Sequence, residues 1–341
     1  MKILGIESSC DETAAAVVED GRTILSNVIA TQIPFHAVYN GVVPEIASRK
    51  HTEWILPVVR QALSEASISM NEIDGIAATN CPGLMGSLLV GLTFAKTLAW
   101  ATGKPFAAVN HMLGHLYAAH LVQDIRYPYL GLLVSGGHSI ICKVSDFDDI
   151  EILGTTMDDA AGEAFDKVAK FYNFGYPGGV IIDKLAKNGD PRAAKFPLPK
   201  INKEGHRYDV SYSGLKTAVI NQIDQFWNPD FPRTPENIAA SFQETAIEIL
   251  LSRLFRAIED TGLTTVVAGG GVAANSRLRE RLAERSDLNC IFPPLKLCTD
   301  NGAMIAGLGF RYLSSGKASP LSSNACARVQ GFRRLGRTPA C

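Results

Sequence analysis

His111 and His115, in the stretch Asn110-His111-Met112-Leu113-Gly114-His115, are the side chains whose type and spacing speak most directly of chemistry. A helix advances ~100° per residue, so imidazoles four apart lie only ~40° round from one another and can converge on one ion. On a continuing helix His120 falls roughly 180° round from His111, so a third ligand has to come from elsewhere in the chain. The spacing is that of the H-E-x-x-H helix of zinc proteases, yet residue 112 is Met where that helix needs a glutamate as general base. The metal pair is present without the protease base.

Asp300, in Cys298-Thr299-Asp300-Asn301-Gly302-Ala303, is the candidate third ligand: a carboxylate at a helix start, after a proline-rich strand exit. Two histidines and an aspartate with open positions suit iron(II) or zinc and leave room for substrate oxygens. The competing reading makes Asp300 a plain helix N-cap.

Other stretches could receive an anion or a nucleotide. Gly269-Gly270-Gly271 follows the apolar run Thr264 to Ala268 and precedes the basic amphipathic segment Ser276 to Arg285, a strand feeding a glycine turn and a helix. Its spacing does not fit the P-loop pattern, and close strand-to-helix packing without a ligand explains it equally well. The small polar tips Ser8 to Thr13 and Ser135-Gly136-Gly137-His138-Ser139 let backbone amides approach a phosphate with no Cβ in the way, or are ordinary hairpin turns. Asp159, Glu163 and Asp166 stand at i, i+4 and i+7, one helix face suited to ribose hydroxyls or a cation, or simply solvated. Tyr176-Pro177-Gly178-Gly179 reads as a tight turn open to a flat ligand. Ser211 to Thr217 offers two hydroxyls and Lys216 to an anion, or a helix capped by Ser213.

The elements that must position these residues follow from periodicity. Lys2 to Glu7, a polar turn, and Ala14 to Glu19 form a β-hairpin, and Tyr129 to Val144 repeats the plan, which points to a duplicated fold. Amphipathic helices over Glu53 to Ala66, Gly86 to Ala101 and Pro235 to Thr261 alternate with strands such as Gly75 to Thr79, so the class is α/β with two lobes. Lobe I is expected over 1–110 with 300–325 returning to it, helical from Asn301 to Ser314. Lobe II takes 111–299 with an excursion of loops and short helices over 176–207, and 326–341 is a tail.

With 341 residues, 46% hydrophobic and 20% charged, the composition is that of a globular enzyme of about two domains. A net charge of -1 gives no global attraction to nucleic acid, so RNA binding has to use a local patch or a partner's surface. Arg328, Arg333, Arg334 and Arg337 are candidates for such a patch, or a solvated tail. Seven dispersed cysteines without a C-x-x-C pair, no secretory signal and no run of ~18 apolar residues lead us to expect a soluble, cytoplasmic protein.

Taken in order, Gly5 to Thr13, Gly41-Val42-Val43-Pro44-Glu45, the His111/His115 helix, Leu133 to His138, Asp158 to Lys167, Ser213 to Thr217 and Cys298 to Ala303 closely resemble the tRNA threonylcarbamoyladenosine transferases of bacterial type, formerly labelled glycoprotein endopeptidases. The likeness covers nearly the whole chain. It departs at Val210-Ser211-Tyr212, where a phenylalanine-rich version is common, and in the tail ending at Cys341. The resemblance implies the two-lobed fold of actin, sugar kinases and Hsp70, duplicated and ribonuclease H-like, with a ligand cleft between the lobes. It implies transfer of a threonylcarbamoyl group from threonylcarbamoyl-AMP to N6 of the adenosine just 3′ of the anticodon, adenosine 37, in tRNAs reading codons that begin with A. It also implies that His111, His115 and Asp300 hold one Fe2+ per subunit, or Zn2+. Adenylate contacts carry over onto Leu133, Val134, Ser135, Gly136, Gly137, Asp166, Gly179, Asp183 and Asn275. The expected partners are the tRNA anticodon loop, a degenerate paralogue of the same fold and a small P-loop ATPase, with no membrane.

The exocyclic amine of adenine is a poor nucleophile, so a general base is useful, and Asp11 or Glu12 on the first hairpin tip is the candidate. The competing readings are a small-molecule kinase of the same fold, a metalloprotease lacking its base, and a non-catalytic scaffold like the degenerate paralogue, which lacks the metal helix.

Overall fold

The computed structural model describes residues 1–201, 205–328 and the two-residue strand Arg333–Arg334. They fall into two compact units. The first comprises Met1–Arg126, Phe147–Asp149 and 293–328; the second comprises Tyr127–Asp146, Ile150–Phe292 and the strand Arg333–Arg334.

In the first unit, with elements numbered in chain order, five strands build one sheet: β1 (Lys2–Glu7), β2 (Glu12–Glu19), β3 (Thr23–Thr31), β4 (Gly75–Cys81) and β5 (Phe106–Asn110), in the order β3-β2-β1-β4-β5. β1 pairs antiparallel with β2 and parallel with β4. Helices α1 (Ile33–Ala37), α2 (Pro44–Glu65), α3 (Met85–Thr102), α4 (His111–Tyr117) and α11 (Gly302–Ser314) complete it. Its core gathers Leu4, Ile6, Val17, Ile55, Val59, Ile76, Leu92 and Phe106. Gly5 lets α11 lie directly on β1, because a Cβ there would stand 2.4 Å from the Ala306 nitrogen and the Gly302 oxygen.

The second unit repeats the plan. β6 (Tyr129–Val134), β7 (Ser139–Asp146), β8 (Asp149–Thr155), β9 (Thr265–Gly269), β10 (Asn289–Ile291) and β11 (Arg333–Arg334) run β10-β9-β6-β7-β8-β11. Read from β8, the order β8-β7-β6-β9-β10 is that of the first sheet, with an antiparallel hairpin and then parallel neighbours, and β11 is added at the edge. The duplication expected from the two hairpins is thus present strand for strand. Helices α5 (Ala161–Phe171), α6 (Gly178–Ala186), α7 (Ser213–Asn221), α8 (Ile223–Phe226), α9 (Pro235–Thr261) and α10 (Ser276–Ala283) belong to this unit, whose core includes Leu130, Leu132, Phe165, Phe242 and Leu250.

Two expectations need correction. The unit boundaries fall after Arg126 and before Pro293, not at 110 and 300, because α4 packs on α11: a Cβ on Gly114 would meet Ile305 at 3.0 Å. Helix α2 begins at Pro44, nine residues earlier than its apolar pattern suggested. Proline loses nothing at a first helical position, and the buried stripe continues through Ala47 and His51, residues that an apolar count passes over. The excursion over 176–207 carries a short helix, α6, as its reading as loops and short helices expected. Among the described residues no helix is long and apolar enough to cross a membrane. Of the tail arginines only Arg328 has a described side chain; Arg333 and Arg334 contribute only strand backbone, and Arg337 lies outside the described residues.

Candidate metal centre

Strand β5 runs straight into α4, and Asn110 makes the junction by accepting the amides of Met112 at 2.9 Å and Leu113 at 3.3 Å. His111 therefore sits in the first turn of a wholly buried helix, with His115 one turn on. The helix stops at Tyr117, so His120 is not on it; its ring stacks on Tyr117 at 5.2 Å, and burial, with the nearby Arg311 charge, holds it down at about 4. His120 takes no part in the site.

Three ligand atoms converge. His115 Nε2 stands 3.2 Å from His111 Nε2 and 3.1 Å from Asp300 Oδ1, and His111 Nε2 is 3.4 Å from the same oxygen. Donor atoms ~2.1 Å from one ion stand ~3.0 Å apart at right angles and ~3.4 Å apart in a tetrahedron, so this triangle fits a small divalent cation. The N-cap alternative for Asp300 fails, because Asn301 caps α11, its side chain accepting from the Met304 amide at 3.0 Å.

A residue the sequence reading passed over completes the arrangement. Glu7, at the end of β1 and fully buried, accepts from His111 Nδ1 at 2.9 Å, from the Thr79 hydroxyl at 2.5 Å and from the Ser9 amide at 2.5 Å. With Nδ1 carrying that proton, Nε2 is the free ligand atom, the usual carboxylate–histidine support of a metal site. Its signal was a lone carboxylate closing an apolar strand, a residue type almost never buried unless paired. Burial opposes charge on the His111 ring, but the Asp300 and Glu7 carboxylates overcome it and raise the imidazole to about 9; burial likewise opposes charge on Glu7, yet His111 keeps it below the usual carboxylate range. The pocket favours positive charge at that point.

On the first hairpin tip Asp11 is 8% exposed and its carbonyl accepts the Gln32 amide at 3.0 Å. Glu12 accepts from the Thr31 hydroxyl at 3.3 Å. Burial first, then the charges of Asp11 and Asp300, push its carboxyl well above the ordinary range.

In the second unit Leu133 and Val134 are buried at the end of β6, and Ser135 closes the next turn by donating its amide to the His138 carbonyl at 2.8 Å. Gly136, Gly137 and Gly179 face open space, with no atom within 4 Å of where a Cβ would stand. Asp166, Asp183 and Asn275 spend polar atoms on the surrounding framework. Asp166 accepts the Gly178 amide at 2.8 Å, Asp183 the Ser276 hydroxyl at 2.8 Å, and Asn275 caps α10 while donating to Gln243 at 2.7 Å. These bonds tie α5 to α6, α6 to α10 and α10 to α9.

Two other sequence readings change. Asp159 precedes α5 and is taken by Lys167 and Lys216, each at 2.6 Å, and Lys167 also holds Glu163 at 2.8 Å, so lysines rather than solvent partner these carboxylates. Asp158 rather than Ser213 satisfies the start of α7, accepting the amides of Tyr212 at 2.8 Å and Ser213 at 3.2 Å.

A family model described as tRNA N6-adenosine threonylcarbamoyltransferase matches residues 23–307. The chain belongs to this family. A protein of that description from Treponema denticola is 77% identical over 337 residues, covering 99% of this chain and 100% of the relative. One from Borreliella burgdorferi is 53% identical over 338 residues, covering 99% and 97%. Solved structures share the fold alone: full-length HypF has a TM-score of 0.63 at 13% identity over 93% of this chain and 47% of its own. Component A of the Acidaminococcus fermentans (R)-2-hydroxyglutaryl-CoA dehydratase has a TM-score of 0.55 at 14% identity over 92% and 99%. The architecture is of the actin, sugar-kinase and Hsp70 type.

Proposed function

We propose that this chain transfers the threonylcarbamoyl group of threonylcarbamoyl-AMP to N6 of adenosine 37, in tRNAs reading codons that begin with A, with one Fe2+, or Zn2+, held by His111, His115 and Asp300. As a member of its family the chain is a transferase that modifies adenosine N6 in tRNA. The observation that carries the metal assignment is the triangle of 3.1 to 3.4 Å between the two Nε2 atoms and Asp300 Oδ1.

When bound, a divalent ion there supplies Lewis acidity toward a carbonyl oxygen. Everything else falls to the chain's own groups. Glu7 fixes the tautomer and direction of His111. The open backbone at Gly136, Gly137 and Gly179 receives the adenylate, with Leu133, Val134 and Ser135 leading into that turn and Asp166, Asp183 and Asn275 holding its walls. In the transfer, N6 forms a bond to the carbamoyl carbon, the bond from that carbon to the phosphate oxygen breaks, and AMP leaves with the electron pair. The proton lost by N6 passes to the Asp11–Glu12 tip. An anticodon-loop base is already single-stranded, which lowers the cost of unstacking the target.

The donor comes from a separate synthase, and a degenerate paralogue of the same fold and a P-loop ATPase act with this protein in the cytoplasm. A metalloprotease is disfavoured because Met112 stands in the base position and Glu7 is fully engaged. The test supplies the protein and these partners with threonylcarbamoyl-AMP and an unmodified tRNA, then digests the RNA and looks for threonylcarbamoyladenosine by mass spectrometry. Product with release of AMP is expected. ATP consumed to a phosphorylated small molecule, with no modified nucleoside, would establish the kinase reading instead.

A further inference from the structure

His51 lies on the inner face of α2 with no exposure, in a stripe whose other members, Ala47, Ile55, Val58, Val59 and Ala62, are all apolar. Packing alone calls for an aliphatic residue at such a place, since a buried imidazole has to find partners for both ring nitrogens. Neither partner is on α2. Nε2 lies 3.0 Å from the Cys10 carbonyl and Nδ1 lies 2.8 Å from the Thr13 hydroxyl. A carbonyl only accepts, so Nε2 carries the proton and Nδ1 accepts from Thr13, which fixes one tautomer. Burial keeps the ring's proton affinity below its ordinary value, in keeping with a neutral imidazole that donates once and accepts once.

Cys10 and Thr13 bracket Asp11 and Glu12. The strand side of the hairpin is held independently: Ser8 donates to the Ser87 carbonyl at 2.9 Å, and the Ser9 carbonyl accepts the Leu84 amide at 2.8 Å. Those bonds fix where the tip begins. The bonds from His51 span the acidic pair itself.

We propose that His51 is a positioning residue for transfer, clamping the backbone before Asp11 and the side chain after Glu12 so that the two carboxylates keep one placement. The inference rests on the reading that this tip takes part in the chemistry, and it adds a group that touches neither substrate nor metal.

The test measures steady-state transfer by the full, metal-loaded chain with its partners, at saturating tRNA and varied threonylcarbamoyl-AMP. His51→Ala is expected to lower kcat roughly tenfold or more through lost positioning, with KM for the donor within about twofold and bound metal unchanged. His51→Gln keeps one acceptor and one donor and regains most of the rate. Thr13→Val, which removes one bond at nearly constant volume, falls between. A folded, metal-loaded His51→Ala protein with the parent kcat overturns the proposal, as does a His51→Gln protein no faster than it. Where His51→Ala does not fold, Thr13→Val decides: a lowered kcat with unchanged KM supports the clamp, and the parent rate overturns it. Asp11→Asn and Glu12→Gln run in the same assay. Parent rates in both remove the tip from the chemistry and this inference with it; a slow Asp11→Asn or Glu12→Gln beside a fast His51→Ala sinks the clamp alone.

Discussion

Glu7 and His111, more than a hundred residues apart in the chain, are joined by a buried hydrogen bond of 2.9 Å between Oε2 and Nδ1, which leaves Nε2 of His111 turned toward Asp300. The geometry of the ligand triangle therefore depends on a strand that carries none of its ligands. Glu7→Gln is expected to weaken metal binding by about 10- to 100-fold while the ligands stay in place. Competition against a chelator of known affinity measures this, and an unchanged affinity would show that the carboxylate plays no part in holding the site.

Asp300 and Asn301 are neighbours with separate tasks, one facing the histidines and the other capping α11. Asn301→Ala should cost about 1 kcal/mol of stability, the usual worth of an N-cap, and retain the metal. Asp300→Ala should lose the metal and, in the metal-free protein, give up the carboxylate that holds His111's proton affinity up. Denaturant unfolding and metal analysis of the two variants check this; the opposite pattern would mean that Asp300 is the cap.

Much of this was legible because it is local. Two histidines one turn apart, a duplicated hairpin and a glycine turn after an apolar run all announce themselves within a short window, and all three are present. The assignment of Glu7 to His111 was not legible, because a single carboxylate at a strand end has no periodic partner. Nor was the fate of Asp159, whose two lysines come from α5 and α7. Helix α2 was read short for a related reason: histidine and alanine serve as buried residues there, and a pattern of large apolar side chains misses them.

Acid should weaken the fold through His120 and His51, the two histidines whose proton affinity is held below its ordinary value. His120 is held neutral at about 4 by burial and the Arg311 charge, while an unfolded histidine titrates near 6.5, so below 6.5 the unfolded chain binds the extra proton. Stability is lost as the pH falls from 6.5 toward 4, by about 2 to 3 kcal/mol from this residue, and His51, also held below its ordinary value, adds in the same direction. His120→Phe, which keeps a ring on Tyr117, should shrink the difference between unfolding free energies measured at pH 7 and pH 4.5. An unchanged difference would contradict the account.

Gly270 joins β9 to the turn beside Val134. Its φ is +89°, and a Cβ would stand 2.4 Å from the Val134 carbonyl oxygen, so both conformation and space demand glycine. Gly270→Ala should destabilise the protein by about 2 to 4 kcal/mol in urea unfolding. A loss below about 0.5 kcal/mol, the range of a neutral surface change, would show that the turn is not held as described.

On the proposed function, His111, His115 and Asp300 form one metal site on which transfer depends. The most direct test places the parent protein, His111→Ala and Asp300→Ala, each with partners, beside threonylcarbamoyl-AMP and unmodified tRNA, and measures bound metal and threonylcarbamoyladenosine on the same samples. Metal and product are expected to be lost together in both variants. A folded variant that has lost the metal and still modifies tRNA at the parent rate would contradict this.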